Sequence, residues 1–181
     1  MHIGMKGQLL SIENRCFGMR IHYFSENNLL NRRPEQLKIF ECNECNNNSY
    51  FLSDIIKSMN IDYSKYKWII SDLDLVPIFH GDYSGMGGEV SQSAAYKFLK
   101  KMEKDKIAVL SYSEMLMILE DIRTISKGVF ICIKKEYSIN TDTYRPRVES
   151  DRPEEMYDNR SEYEIRVLDG ELFFILEKKK N

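Results

Sequence analysis

The tightest constraint on this fold lies near the C-terminus, where residues 163–168 and 171–177 flank the dipeptide Asp169-Gly170. Two strand-forming runs joined by Asp-Gly make a β-hairpin. A type I′ turn needs positive φ at both central residues, and these two types accept it at least cost. Further strand signals precede it. Met19, Ile21 and Tyr23 alternate with Arg20 and His22, the period-2 pattern of a half-buried strand. Residues 37–40 read as a second short strand, and 68–79 form the most apolar extended segment. Pro77 removes a ladder donor from that segment, which calls for an edge position or a bend after Val76. Residues 107–110 and the continuous β-forming run Val129, Phe130, Ile131, Ile133 complete the set.

Three stretches carry helical spacing instead. Leu52, Ile55, Ile56 and Met59 fall at i, i+3, i+4 and i+7. In residues 91–105, Ala95, Phe98, Leu99 and Met102 form the apolar stripe, with Lys97, Lys100, Lys101 and Lys104 opposite. The third opens with Ser111-Tyr112-Ser113-Glu114, the spacing of a capping box; Met115, Ile118, Leu119 and Ile122 form its stripe, and its end is expected near Gly128. Strands outnumber helices and do not alternate strictly with them. The expected class is therefore α+β, a mainly antiparallel sheet with about three helices on one face and a C-terminal β-hairpin. No repeat or linker divides the chain, so residues 1–181 read as a single domain. Residues 138–161 lack periodicity and carry two prolines and many charges, as expected of a flexible acidic loop.

Composition narrows the function classes. A chain of 181 residues that is 43% hydrophobic can bury a real core, which argues against disorder. Its 26 Lys and Arg against 28 Asp and Glu leave a net charge of −2, too weak a field to draw in nucleic acid. No apolar run approaches the ~20 residues of a membrane span. The N-terminus lacks the pattern of a secretory signal, although Met5 is a second possible start, and the four cysteines suit a reducing compartment; the expected location is the cytoplasm. An excess of Lys, Asn, Ile and Tyr points to an AT-rich bacterial or phage genome.

Several constellations invite chemistry. Cys42 and Cys45 form a C-x-x-C, half of a zinc knuckle or a redox couple, yet no second ligand pair accompanies it. Gly85-Met86-Gly87-Gly88 precedes the second helix without matching a nucleotide-binding loop. His80, Asp82 and Asp74 together hold donors that suit a divalent cation. Trp68-Ile69-Ile70 followed by Asp72-Leu73-Asp74-Leu75-Val76 resembles the first motif of haloacid dehalogenase-like phosphatases, and Ser111 after residues 107–110 resembles their second. That resemblance implies a Mg²⁺-dependent phosphate-handling hydrolase, with Asp72 attacking phosphorus and Asp74 as acid and base. The family's further acidic pair has no counterpart after Ile133.

Residues 149–164 hold Glu149, Asp151, Glu154, Glu155, Asp158, Glu162 and Glu164 against Arg152 and Arg160, with Met156 and Tyr157 in the middle. Carboxylates around an aromatic suit a basic protein partner: complementary charge speeds encounter and a Tyr anchors the contact. The expected function is accordingly non-enzymatic, a cytoplasmic protein-binding module with the general character of an immunity protein that masks a basic partner. It would bind through Glu154, Glu155, Tyr157 and Asp158 and use no metal or cofactor. The Asp72/Asp74 hydrolase is the alternative. A homodimer built through an exposed edge of the C-terminal hairpin is a third reading.

Overall fold

A computed structural model describes residues 19–23, 35–42, 48–78, 93–149 and 155–178. In chain order the elements are β1 (Met19–Tyr23), β2 (Glu35–Cys42), α1 (Asn48–Ser58), β3 (Tyr66–Pro77), α2 (Ala94–Asp105), β4 (Ile107–Leu110), α3 (Tyr112–Glu120), β5 (Ile122–Lys134), β6 (Ser161–Leu168) and β7 (Leu172–Lys178). The strands form one seven-stranded sheet in the order β1-β2-β7-β6-β5-β3-β4. Every pairing is antiparallel. The class is α+β.

The hairpin forms as its turn chemistry requires, with Asp169 at φ 52 and Gly170 at φ 73. Both of its strands are partnered on their outer sides, β7 by β2 and β6 by β5. It therefore offers no edge for a second copy. The β4 pairing ends where Ile107 meets Ser71, whereas β3 continues to Pro77 with β5 as its only strand partner among the described residues. Pro77 thus sits on the single-partnered half of β3, beside a register shift, where a missing N–H is tolerated.

α3 is shorter than the apolar spacing suggests. It begins as expected, with Ser111 and Glu114 forming a reciprocal capping box, but ends at Glu120. Residues 122–128 belong to β5 instead, so Gly128 lies within a strand rather than at a helix end. The cause is tertiary: Ile122, Thr124, Ile125 and Lys127 pair with Pro77, Val76, Leu75 and Asp74, and the β-branched residues among them favour the ladder. A Cβ at Gly128 would stand 2.9 Å from the Phe130 ring and 3.0 Å from Leu73, so a larger residue here would require those side chains to shift.

The two faces of the sheet are covered differently. On one, α1, α2 and α3 bury Phe51, Leu52, Ile56, Phe98, Met102, Met115 and Leu119 against Phe40, Trp68, Ile70, Phe130, Ile165 and Phe173. Three helices thus share one face. On the other face Ile69, Ile107, Val129, Ile131 and Ile133 form a second apolar cluster, closed by Val148 with Tyr137, Ile139 and Tyr144. The described residues of the segment after β5, up to 149 and from 155, therefore form a strap that lies across this face of the sheet. No helix among the described residues is long and apolar enough to cross a membrane.

Candidate functional site

β6 alternates its side chains. Tyr163, Ile165 and Val167 enter the helix-side core, so Glu164 and Arg166 project to the strap side. There they stand opposite Ile131 and Val129 of the second apolar cluster. Both are buried, Glu164 at 0% and Arg166 at 2% exposure. Two opposite charges at i and i+2 on one face of a strand can meet, and the Arg166 Nε donates to Glu164 Oε1 at 2.6 Å. Their remaining bonds go to the strap's main chain. The Tyr157 N–H donates to Glu164 Oε2 at 2.8 Å, and Arg166 Nη2 donates to the Glu155 carbonyl at 2.7 Å. Burial pushes the Glu164 carboxyl above its ordinary value, against the pull of Arg166.

A second charge pair lies beside the first. Arg160 grips Asp158 through Nε at 2.9 Å and Nη2 at 2.6 Å, while the Tyr144 hydroxyl donates to Asp158 Oδ2 at 3.0 Å. Burial alone would raise the Asp158 carboxyl; the hydrogen bonds from Arg160 and Tyr144 outweigh it and hold the group below its ordinary value. The Arg160 Nη1 also reaches the Ser138 carbonyl, and its guanidinium lies 5.7 Å from the centre of the Tyr137 ring. Tyr144 in turn takes the Tyr157 ring edge-on, with centroids 5.3 Å apart at 85°. The outcome is a half-exposed Tyr157, 50% accessible, on a base of paired charges and aromatic rings.

Of the residues the sequence singles out for partner binding, Tyr157 is presented to solvent and Glu155 is partly exposed beside it. Asp158 is turned inward, its side chain 5% exposed and engaged by Arg160. It supports the surface from within. Glu154 lies outside the described residues, as do His80, Asp82, Gly85 to Gly88 and Cys45.

The Asp72-Leu73-Asp74 stretch ties down the other end of the strap. Asp72 takes a left-handed conformation, φ 48, at a register shift in β3. One carboxylate oxygen pairs with Lys127 Nζ at 2.9 Å and the other accepts the Val148 N–H at 3.0 Å. Ser71 Oγ donates to the Pro146 carbonyl at 2.8 Å next to it. Asp74 is exposed on the same strand. The motif that carries the phosphatase resemblance, residues 72–76, lies at the C-terminal end of β3, which ends at Pro77. Ser111 caps α3. Among the described residues no three His, Cys, Asp or Glu side chains gather as a cation site.

Sequence reasoning missed the pairing of Glu164 with Arg166 and the role of Tyr144. The first was visible in principle, as opposite charges two residues apart on one face of an alternating strand. The second, a tertiary contact across 14 residues, left no local signal. No family model, curated protein or solved structure matches this chain.

Proposed function

We propose that the chain is a non-catalytic protein-binding module whose working surface is the outer side of the strap, with Tyr157 as its anchor and a basic protein surface as its partner. The observation that carries this reading is the presentation of Tyr157. Its ring is half exposed, yet its main chain is bonded to a buried carboxylate and its ring edge rests on Tyr144. A rigid aromatic of this kind contributes binding area at little entropic cost, as interface hot spots do. Two of the segment's carboxylates, Asp158 and Glu164, are neutralised internally by Arg160 and Arg166. In sequence the same segment carries further carboxylates, Glu149, Asp151, Glu154 and Glu155, from which a negative rim is expected. Such a rim raises association rates with a basic partner more than it raises affinity. Masking of that partner by an immunity-type protein in a bacterial cytoplasm is the physiological setting that the reading suggests.

A photo-reactive phenylalanine analogue at position 157, compared with the same analogue at the exposed helix position Tyr50, tests the reading in the protein's own host. Cross-linking of one basic protein from position 157 alone, weakened when Glu154 and Glu155 become Lys, supports it. Equal labelling from both positions contradicts it. Mg²⁺-dependent hydrolysis of a generic phosphoester, lost in Asp72→Asn, would instead favour the phosphatase alternative.

A further inference from the structure

The Glu164–Arg166 pair is poorly explained as a source of stability. It sits among Val129, Ile131 and the fully buried Leu176, where either ion loses its hydration. Among the described residues Arg166 Nη1 is buried without a hydrogen-bond partner, so they do not fully compensate the guanidinium. Hydrophobic side chains of similar volume fill such sites at equal or lower free energy. What they cannot do is hydrogen-bond a neighbouring main chain. Beyond the bond between them, both residues direct their remaining bonds to the backbone of 155–157, one accepting from the Tyr157 N–H and the other donating to the Glu155 carbonyl. Because Glu164 accepts and Arg166 donates, the pair clamps the strap's main chain at two points, the Tyr157 N–H and the Glu155 carbonyl.

We infer that Glu164 and Arg166 are positioning residues: they pin the strap's main chain at 155–157, and hence the placement of Tyr157, rather than holding the sheet together. This inference rests on the docking reading only for its biological consequence; its structural content stands apart from it. Glu164→Leu with Arg166→Met removes both charges at similar volume, whereas Arg166→Met alone leaves an unpaired buried carboxylate. The readouts are the unfolding midpoint and hydrogen exchange at the Tyr157 amide. The double variant is expected to unfold at or above the wild-type midpoint while the Tyr157 amide exchanges about tenfold faster or more, the consequence of losing one buried hydrogen bond. The single variant is expected to unfold well below wild type. A double variant that fails to fold, that unfolds as early as the single variant, or that keeps wild-type protection at Tyr157 overturns the inference. Cross-linking from position 157 is scored separately: faster exchange with unchanged cross-linking would count against the docking reading and leave the positioning role intact.

Discussion

Asp158 and Glu164 are six residues apart in one acidic stretch, yet their neighbours give them opposite responses to pH. Asp158 has its carboxyl held below the ordinary 3.8 by Arg160 and Tyr144 despite burial. Its ionised form therefore stabilises the fold fully above that value, and the contribution is lost as pH falls through the lowered folded-state value. Asp158→Asn is expected to cost about 2 kcal/mol at neutral pH, the range for hydrogen bonds to a charged group, with the gap to wild type closing in acid. Denaturant titrations at several pH values, followed by fluorescence of the single tryptophan, Trp68 in the core, measure this directly. A gap that persists unchanged in acid would mean that packing rather than charge is what Asp158 supplies. Glu164 has the reverse slope, since burial raises its carboxyl and its ionisation opposes folding. None of this is legible from composition, where both residues count only as negative charge. Asp72 is a parallel case: its spacing from Asp74 is legible in sequence, while its bonds to Lys127 and the Val148 amide come only from the fold.

Elements were legible where a local rule dictates them. The Asp169-Gly170 turn and the capping box at Ser111 depend on backbone geometry within four residues, and both form where that geometry says. The end of α3 was not legible, because Ile122 fits the helical stripe and the strand equally well and the choice is made by pairing with β3. A side chain outside the sheet helps fix that choice. Asn48, at the start of α1, donates to the carbonyls of Ile125 at 2.8 Å and Gly170 at 2.7 Å and accepts the Ile125 N–H at 2.7 Å. One buried amide thus joins a helix, a strand and the hairpin turn. Asn48→Ala strands buried backbone groups on β5, and the expected loss is about 3 kcal/mol in equilibrium unfolding. A loss below about 0.5 kcal/mol, the level of an ordinary surface change, would show that β5 keeps its path without the latch.

At the scale of the molecule, one sheet buries its two faces by different means. Helices with apolar stripes cover one face, and this half of the fold could be read from periodicity. The strap covers the other with few regular elements, held by Val148 in the apolar cluster and by side-chain bonds at Ser71, Asp72, Glu164 and Arg166. Its lack of periodicity reads in sequence as a flexible acidic loop, and its contacts with the sheet were not legible, since ties from side chain to main chain leave no repeating pattern. The site shares that history: Tyr157 and Glu155 were found as acidic and aromatic residues, while the base that holds Tyr157 in place came only from the fold. The whole account depends on Tyr157 being a contact residue set on a rigid foundation. The most direct measurement is calorimetric titration of the protein cross-linked through position 157 into wild type and Tyr157→Ala. A hot-spot tyrosine predicts a loss of about 2 kcal/mol, roughly thirtyfold in affinity, with the unfolding midpoint unchanged. Equal affinity for the two proteins would contradict it.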